Sequence, residues 1–455
     1  MSANRGQWSS RIGFIFAAAG SAIGLGNIWR FPYVVGENGG AAFVILYLGF
    51  VALIGLPYMF GELALGRVAQ RNPVGSIDAI KPRSRWRWAG ILGVLTGVGI
   101  LSFYGVIAGW TVGYIHKMLT NNPGGFEQFV ADPWASLFLY ALFTLLTISI
   151  VYNGIEGGIE RWAKILMPIL FVLLIILIIY SNSLSGSGGG LSFYLNPDFS
   201  KITGSTVLAA LGQAFFSLSL GMGLMITYGS YLSKQENLVT SGIYIGIFDT
   251  MIAFMAGLII FPAIFAIKGN MEAIDASLRS GPGLIFKVFP EIFSQMPGGI
   301  FVGVLFFILL SVAALTSTIS LLEVEVAYLI DEKGARRKTI VWAAAAVTFF
   351  VGIPSAVSQG GSDFFTNFGL IPERFAGPDF LSQMSFIFGD LALALGAFLL
   401  SIFIGWVWGA DKAADEIARN SPFFAKTRSV WMFMIRYFIP LVIFLILLNV
   451  FGIFN

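Results

Sequence analysis

The sequence predicts an all-α integral membrane protein. Hydrophobic residues make up 57% of its 455 residues, charged residues make up only 11%, and the mean hydropathy is +0.83. A soluble protein of this length cannot bury so large an apolar fraction. Between charged clusters the chain repeatedly runs for about 20 apolar residues, the length of a helix that crosses the bilayer. A helix is favoured there because it satisfies its own backbone hydrogen bonds, which lipid cannot do.

Hydropathy over a window of about 19 residues divides the chain into spans and loops. Eleven spans are predicted, at roughly 11–36, 41–67, 88–116, 134–152, 162–182, 206–231, 238–267, 299–330, 339–354, 384–409 and 430–453. The connections 269–298 and 355–383 are longer and rich in Gly, Pro and polar residues, so we expect partly structured external loops. The first span lacks the features of a cleaved signal peptide and is expected to stay in the mature protein.

Lysine and arginine residues predict the orientation. Most of the 27 basic residues fall in segments that share a side with the N-terminus, including clusters at 81–87 and 333–338. The positive-inside rule therefore predicts a cytoplasmic N-terminus, and eleven crossings predict an external C-terminus. Because the basic residues mark loops and form no patch, the net charge of +3 does not indicate nucleic-acid binding.

Several kinds of chemistry are excluded by composition. The chain has no Cys and a single histidine, His116. Disulfides, thiol nucleophiles and Cys or His-cluster metal sites are therefore excluded. An enzyme embedded in the membrane would need converging acid, base or metal-binding residues, and this composition argues against one.

Two of the predicted spans are interrupted by glycine. The first reads AGSAIGLGNIWRFP over 19–32, and the sixth reads GQAFFSLSLGMGLMITY over 212–228. Glycine destabilises a helix by roughly 1 kcal/mol relative to Ala, so the backbone is expected to unwind at these points. Unwound backbone at membrane depth is tolerated where it lines a cavity or is buried in protein. The alternative is that these glycines let helices pack closely.

A pair of broken spans in corresponding halves of a membrane protein is the strongest sequence indication of a transporter site. We therefore expect two inverted five-helix repeats, with helices 1 and 6 discontinuous. The predicted organisation is a first repeat at 1–182, an external linker at 183–205, a second repeat at 206–409, and a cytoplasmic loop with helix 11 at 410–455. Helix N-termini at the breaks favour a carboxylate, and freed carbonyls and hydroxyls suit sodium.

Sequence motifs along the whole chain resemble one known family. They are Arg5 and Trp8, GSAIGLGNIWRFPY over 20–33, ENGG at 37–40, Glu62, GGIERWAKILMP over 157–168, QAFFSLSLGMG over 213–223 and ALTSTIS over 314–320. This pattern resembles the neurotransmitter:sodium symporter family, whose LeuT fold is named after a bacterial leucine transporter. The length is similar to that of the short eleven-helix bacterial members that carry hydrophobic and aromatic amino acids.

The resemblance implies a function. It implies a sodium-coupled symporter in the plasma membrane of a bacterium that imports small neutral, hydrophobic or aromatic L-amino acids by alternating access. Two Na⁺ ions and no organic cofactor are expected, and no oligomeric state is indicated. An amino-acid sensor or a channel-like protein of the same fold remains an alternative. A channel would have a continuous polar pore, and a sensor would bind its ligand without accumulating it.

The resemblance also implies two sodium sites. The first would use Ala22, Asn27, Ser217 and Asp249, together with the substrate carboxylate. The second would use Gly20, Ile23, Ala313, Thr316 and Ser317. The alternative for Thr316 and Ser317 is hydrogen bonding between helices, which is common for hydroxyls in membranes.

Asp249 departs from the family pattern, in which an Asn is common at this position. Some chloride-dependent members place a Ser one turn later, and this chain has Ala253 there. Tyr47, Gln213 and Ser217 match the other anion-site positions, but the fixed carboxylate of Asp249 could itself balance a cation. We therefore expect transport independent of chloride. The alternative is a protonated Asp249 that hydrogen-bonds to a neighbouring helix.

The implied substrate pocket is apolar with one polar end. Its residues would be Ala22, Leu25, Gly26, Ile100, Tyr104, Phe216, Ser217, Ser219, Met222, Ser317 and Leu321. Tyr104 would hydrogen-bond the substrate carboxylate. Monoamine carriers have an Asp at the position of Gly24, so its absence here favours an amino acid. Without the resemblance, such a Met and aromatic pattern would be read as ordinary packing.

Alternating access requires a gate on each side. The internal gate would use Arg5, Trp8, Ser230, Tyr231 and Asp331, with Arg5 and Asp331 paired. The external gate would use Arg30, Gln213, Tyr104 and Phe216. The acidic partner that the family gives to Arg30 falls on Ser385 here, so either Asp379 or Asp390 replaces it, or water and the aromatic pair suffice. Glu62 is expected to hydrogen-bond the unwound sixth span, with a shallow, solvated position as the alternative.

Overall fold

The structure is a computed structural model and describes residues 6–273, 284–373 and 375–453. Within these ranges every regular element is helical. Helices α1 to α9 are Arg11–Ala22, Gly26–Glu37, Ala41–Ala69, Pro73–Ile80, Arg87–Leu119, Phe126–Ala131, Pro133–Val151, Ile155–Ser183 and Ser187–Leu195. Helices α10 to α18 are Gly204–Ser217, Leu224–Gly229, Leu238–Lys268, Phe289–Ser294, Gly299–Lys333, Arg337–Val357, Asp363–Thr366, Phe380–Ala418 and Pro422–Val450. Short helical turns also occur at Phe199–Lys201 and Leu284–Val288.

The described helices confirm a membrane protein. Nine of them are long and apolar enough to cross a bilayer, and α1 with α2 adds a tenth crossing that bends by 53°. The predicted sixth span consists of α10 and α11, which are separated by the non-helical residues 218–223. The predicted count of eleven spans, which includes this interrupted segment, stays a prediction.

Some helices extend beyond the predicted spans. The tenth predicted span ended at residue 409, whereas α17 continues to Ala418, and α18 begins at Pro422 instead of 430. Hydropathy ends a span at the first charged cluster, but a helix can continue into water with its charged face exposed. Proline at the first helical position and the side chain of Ser421 explain the start of α18, because this hydroxyl accepts a hydrogen bond from Phe424 N.

The core surrounds the broken helices. Helix α14 packs along α5, and α1 lies against α8, α12 and α14. Large side chains such as Phe138 and Phe350 are exposed on the outer surface of the bundle. Such residues suit contact with lipid, while the small and polar residues of α1 face the interior.

The first break covers residues 23–25, between α1 and α2. It lies within the segment 19–32, in which the sequence predicts unwinding. The second break requires glycine for two reasons. Gly221 has φ +85°, and a methyl group there would lie 2.6 Å from the carbonyl oxygen of Leu393. The Glu62 carboxylate accepts a hydrogen bond from Gly221 N at 3.0 Å, as the sequence predicted, so freed backbone is satisfied by a buried side chain.

Glycine also acts as a packing residue where the second and sixth predicted spans meet. A methyl group on Gly66 of α3 would lie 2.0 Å from the carbonyl oxygen of Ile226, and one on Gly229 of α11 would lie 2.5 Å from that of Leu63. The backbones of α3 and α11 are therefore in direct contact. These two glycines lie outside the segments predicted to unwind and serve close packing, whereas Gly221 belongs to the break.

Candidate functional site

A cavity of about 370 Å³ lies between the two breaks. The walls come from α1, α2, α5, α10, α11, α14 and α17, from the breaks themselves and from the segment 375–377 before α17. The residues that line it are Ser21, Ala22, Gly24, Leu25, Gly26, Trp29, Arg30, Tyr33, Ile100, Phe103, Tyr104, Ile107, Phe216, Ser219, Met222, Leu224, Ser317, Leu321, Phe375, Ala376, Gly377, Leu381, Ser382, Ser385, Phe386, Gly389 and Asp390. All the predicted substrate residues are among them except Ser217. This cavity is large enough for a molecule of amino-acid size.

The polar end of the cavity is formed at the first break. The backbone N–H of Leu25 donates a hydrogen bond to the Tyr104 hydroxyl at 3.0 Å. A methyl group on Gly24 would lie 2.6 Å from Ser317 Oγ and 2.9 Å from the Tyr104 hydroxyl. Glycine is therefore needed at residue 24 if these polar atoms are to converge. Amides at a helix start and a tyrosine hydroxyl form a suitable environment for a carboxylate.

The opposite walls are apolar. Ile100, Met222 and Leu321 line the cavity and are buried. Ser219, which donates a long hydrogen bond of 3.4 Å to the carbonyl of Ser21, has φ +53°, the left-handed region that L residues seldom adopt. Ser219 thus has a strained backbone conformation at a point where the second break lines the cavity.

A buried oxygen-rich cluster adjoins the cavity. Asp249 accepts hydrogen bonds from Asn27 Nδ2 at 2.7 Å and from Ser217 Oγ at 2.7 Å. The Tyr47 hydroxyl lies 3.0 Å from Ser217 Oγ and 3.4 Å from Asp249 Oδ2. All four side chains are at most 1% exposed. The predicted first sodium site thus has its three side-chain ligands together, and the remaining predicted residue, Ala22, lines the adjacent cavity.

A second cluster of oxygens joins α14 to the first break. Thr316 Oγ1 lies 2.9 Å from the carbonyl oxygen of Ala313 and 3.3 Å from that of Ile23. Ser317 Oγ lies 3.2 Å from the same Ile23 oxygen. A methyl group on Gly20 would lie 3.4 Å from Thr316 Cβ, so α1 and α14 approach closely here. The hydroxyls make hydrogen bonds between helices, which was the alternative to a sodium site. Hydroxyl and carbonyl oxygens are also the kind of ligand that binds sodium.

The predicted external gate contains an ion pair and an aromatic side chain. Arg30 Nη2 lies 3.7 Å from Asp390 Oδ1, and the guanidinium carbon lies 4.2 Å from the centroid of the Phe216 ring. Asp379 has another role, because its carboxylate accepts a hydrogen bond from Ser382 N at the start of α17. Of the two acids that the sequence left open, Asp390 is therefore the partner of Arg30. Gln213 donates a long hydrogen bond of 3.4 Å to the carbonyl of Gly26.

Trp8 and Tyr231 of the predicted internal gate also lie together. Trp8 Nε1 donates to the carbonyl of Tyr228 at 3.0 Å, and Trp8 N donates to that of Tyr231 at 3.3 Å. The Tyr231 hydroxyl donates to Glu323 at 2.7 Å. Ser230 is buried, and its hydroxyl bonds to the carbonyl of Thr227 in its own turn. Arg5 lies outside the described residues.

Sequence reasoning missed two contributions to the cytoplasmic side. Asp331 accepts hydrogen bonds from the backbone N and from Nδ2 of Asn72, at 2.7 and 3.1 Å. Glu323 is buried and forms an ion pair with Arg337. The Asn-Pro pair at 72–73 marks a helix start, but no local pattern indicates that the cap also contacts a carboxylate 259 positions away.

Comparisons with known proteins agree with the resemblance. The family model described as the sodium:neurotransmitter symporter family matches residues 5–125 and 132–454. An uncharacterized sodium-dependent transporter of Bacillus subtilis is 37% identical over 459 residues, covering 98% of this chain and 98% of the relative. One from Haemophilus influenzae is 34% identical over 468 residues, with 98% of each chain covered. The crystal structure of MhsT in complex with L-phenylalanine matches with a TM-score of 0.86 and 44% identity, over 98% of this chain and 100% of that one.

Proposed function

The chain belongs to the sodium:neurotransmitter symporter family, and from that premise we propose that it imports a small neutral amino acid together with sodium, by alternating access. It is a multi-pass membrane protein of a family of transporters. The proposed substrate is a hydrophobic or aromatic L-amino acid. The proposed location is a bacterial plasma membrane with the N-terminus inside and the C-terminus outside, after eleven crossings arranged as two inverted repeats.

The observation that carries this proposal is the shape and chemistry of the cavity. One end offers the Tyr104 hydroxyl and the backbone at the first break, and the other walls are formed by side chains such as Met222 and Leu321. A zwitterion with an apolar side chain matches both ends. The bound L-phenylalanine of MhsT, a structure 44% identical to this chain, is consistent with that chemistry.

We propose that sodium couples to the substrate through shared oxygens. Asp249, Ser217 and Asn27 would hold the first ion beside the cavity, where a substrate carboxylate could complete its coordination. The second ion would lie between α1 and α14, near Thr316 and Ser317. Each ion would then stabilise the closed cavity only when substrate and sodium are both present, which is the requirement for coupled transport.

The uptake experiment uses the purified full-length chain in proteoliposomes. Each of the twenty amino acids is offered with an inward sodium gradient and with sodium equal on both sides. We expect concentrative uptake of a few apolar or aromatic amino acids, and only with the gradient. Binding without accumulation for every amino acid would indicate a sensor, and sodium flux far in excess of substrate flux would indicate a channel. Either result would contradict the proposal.

A further inference from the structure

Asn72 lies where two structural roles meet at the cytoplasmic side. Its side chain is fully buried. The Oδ1 atom caps α4 by accepting hydrogen bonds from Val74 N at 2.9 Å and Gly75 N at 3.1 Å. Its Nδ2 atom and its backbone N both donate to the same oxygen of Asp331, at 3.1 and 2.7 Å. A cap alone needs only the acceptor oxygen, so the two donors to Asp331 require a separate explanation.

Ion pairs near the contact between Asn72 and Asp331 also connect α4 with α14. Arg87, at the start of α5, lies 3.3 Å from both Asp78 of α4 and Glu332 of α14. The end of α14 is thus connected to α4 through Asn72 and through Arg87. Because the Arg87 pairs are partly exposed, their contribution is weaker than that of the buried amide.

The residue after Asn72 contacts the second break. A methyl group on Gly223, which has φ +74°, would lie 2.7 Å from Pro73 Cγ. On its other side the segment is packed against α5, since a methyl group on Gly90 would lie 2.7 Å from Val74 Cα. Gly223 follows Met222, which lines the cavity. The dipeptide Asn72-Pro73 therefore contacts both the second break, next to Met222 of the cavity wall, and the carboxylate of Asp331.

We propose that Asn72 is a positioning residue of the cytoplasmic gate, which holds the Asp331 carboxylate in place and connects it, through Pro73, to the broken sixth span. This inference rests on the proposed alternating-access function. The two donors hold the Asp331 side chain in one position and one rotamer. The carboxylate then returns to the same place each time the gate closes. Packed contacts of this kind are the physical route by which the state of one site can bias another.

The test uses the absence of native cysteine. Ala327 is 1% exposed and lies one turn before Asp331 and one turn after Glu323 on α14. These three residues share a helix face, so Ala327→Cys reports opening of the cytoplasmic side. The rate of labelling by a small membrane-impermeant thiol reagent is measured on the full-length chain in sodium without amino acid.

Three variants separate the gate from the cap. Asn72→Ser keeps an oxygen that can cap α4 but removes Nδ2, which also lies 3.4 Å from Glu332 Oε1. Asn72→Asp keeps the cap as well but places another carboxylate against Asp331 and Glu332. We expect Asn72→Ser to raise the labelling rate about ten-fold, as loss of a hydrogen bond to a charged acceptor implies, and Asn72→Asp to raise it further. The matched control is Asn237→Ser, since Asn237 caps α12 by accepting from Thr240 N at 3.0 Å.

Each outcome decides the proposal. Labelling unchanged in both Asn72→Ser and Asn72→Asp would reduce Asn72 to a helix cap and overturn it. An equal rise in Asn237→Ser would assign the effect to general loosening and also overturn it. Failure of uptake for all amino acids with the Asn72→Ser effect intact would remove the proposed function but leave this gate residue in place, so the two failures are distinguishable.

Discussion

At the scale of single residues, Asp249 is the proposed sodium ligand at which the sequence predicts a departure from the family pattern. Its carboxylate is fully buried and accepts from Asn27 and Ser217. No lysine or arginine forms an ion pair with it within the described parts of the chain. A buried carboxylate without a basic partner suits a site that is completed by a bound cation.

Asp249→Asn should therefore weaken sodium activation of uptake. Removing one charge at ion-contact distance costs several kcal/mol at an intermediate effective dielectric, so we expect the sodium concentration for half-maximal uptake to rise about ten-fold or more. The control is Asp198→Asn, the same chemical change at an exposed loop residue. Unchanged sodium activation in Asp249→Asn would exclude Asp249 as a ligand.

The same carboxylate predicts independence from chloride. If Asp249 supplies the negative charge that balances sodium, replacing chloride by gluconate at constant pH should leave sodium-driven uptake by the parent chain unchanged. The measurement is initial uptake in proteoliposomes with each anion in turn. Uptake that stops without chloride would show that an external anion is required in addition to Asp249.

Gly24 sets the space at the polar end of the cavity. Gly24→Ala would place a methyl group 2.6 Å from Ser317 Oγ and 2.9 Å from the Tyr104 hydroxyl. Overpacking of this kind costs roughly 1–3 kcal/mol, which corresponds to about a five- to hundred-fold loss of substrate affinity. Gly212→Ala is the matched control, because a methyl group there has no neighbour within 4 Å. Equal affinities in the two variants, measured by equilibrium binding, would contradict this account of the pocket.

At the scale of helices, α3 and α11 behave as one unit because their backbones touch at Gly66 and Gly229. Gly229→Ala would place a methyl group 2.5 Å from the carbonyl oxygen of Leu63. We expect a loss of roughly 1–3 kcal/mol of stability and a lower midpoint of thermal unfolding in detergent. Gly188→Ala in α9, where a methyl group has no neighbour within 4 Å, should leave the midpoint unchanged. A midpoint unaffected in Gly229→Ala would show that these helices can separate without penalty.

The helices also show how far sequence reasoning extends. Both breaks were predictable, because clustered glycines in an apolar span are a local signal. Asp390 could not be chosen over Asp379, since both follow the same loop and only the packing of α17 turns one of them to Arg30. The contact of Asn72 with Asp331 could not be predicted either. The two residues are 259 positions apart, and neither hydropathy nor a motif links them.

At the scale of the whole molecule, transport requires that the external and cytoplasmic sides close in alternation. The described structure has ordered contacts on both sides of the cavity. Arg30 lies near Asp390 and Phe216 at the predicted external gate, and Trp8 donates to the backbone of Tyr228 and Tyr231 at the predicted internal gate. Both sets include residues of the broken spans, so under the proposed function we expect a change at one end to alter the equilibrium at the other.

The external pair gives the most direct test of this alternation. Asp390→Asn removes the charge that faces Arg30 while keeping the size of the side chain, so the external side should close less readily. We expect the maximal uptake rate to fall about five-fold or more, the range typical of the coupling energy between two sites, while equilibrium binding of substrate from outside is retained. Asp379→Asn is the matched control, since Asp379 caps α17 by accepting from Ser382 N and Asn keeps an acceptor oxygen there, so uptake per folded molecule should stay unchanged. Equal uptake losses in the two variants would attribute the effect to α17 itself, whereas a loss confined to Asp390→Asn would follow from an ion pair that forms and breaks once in every transport cycle.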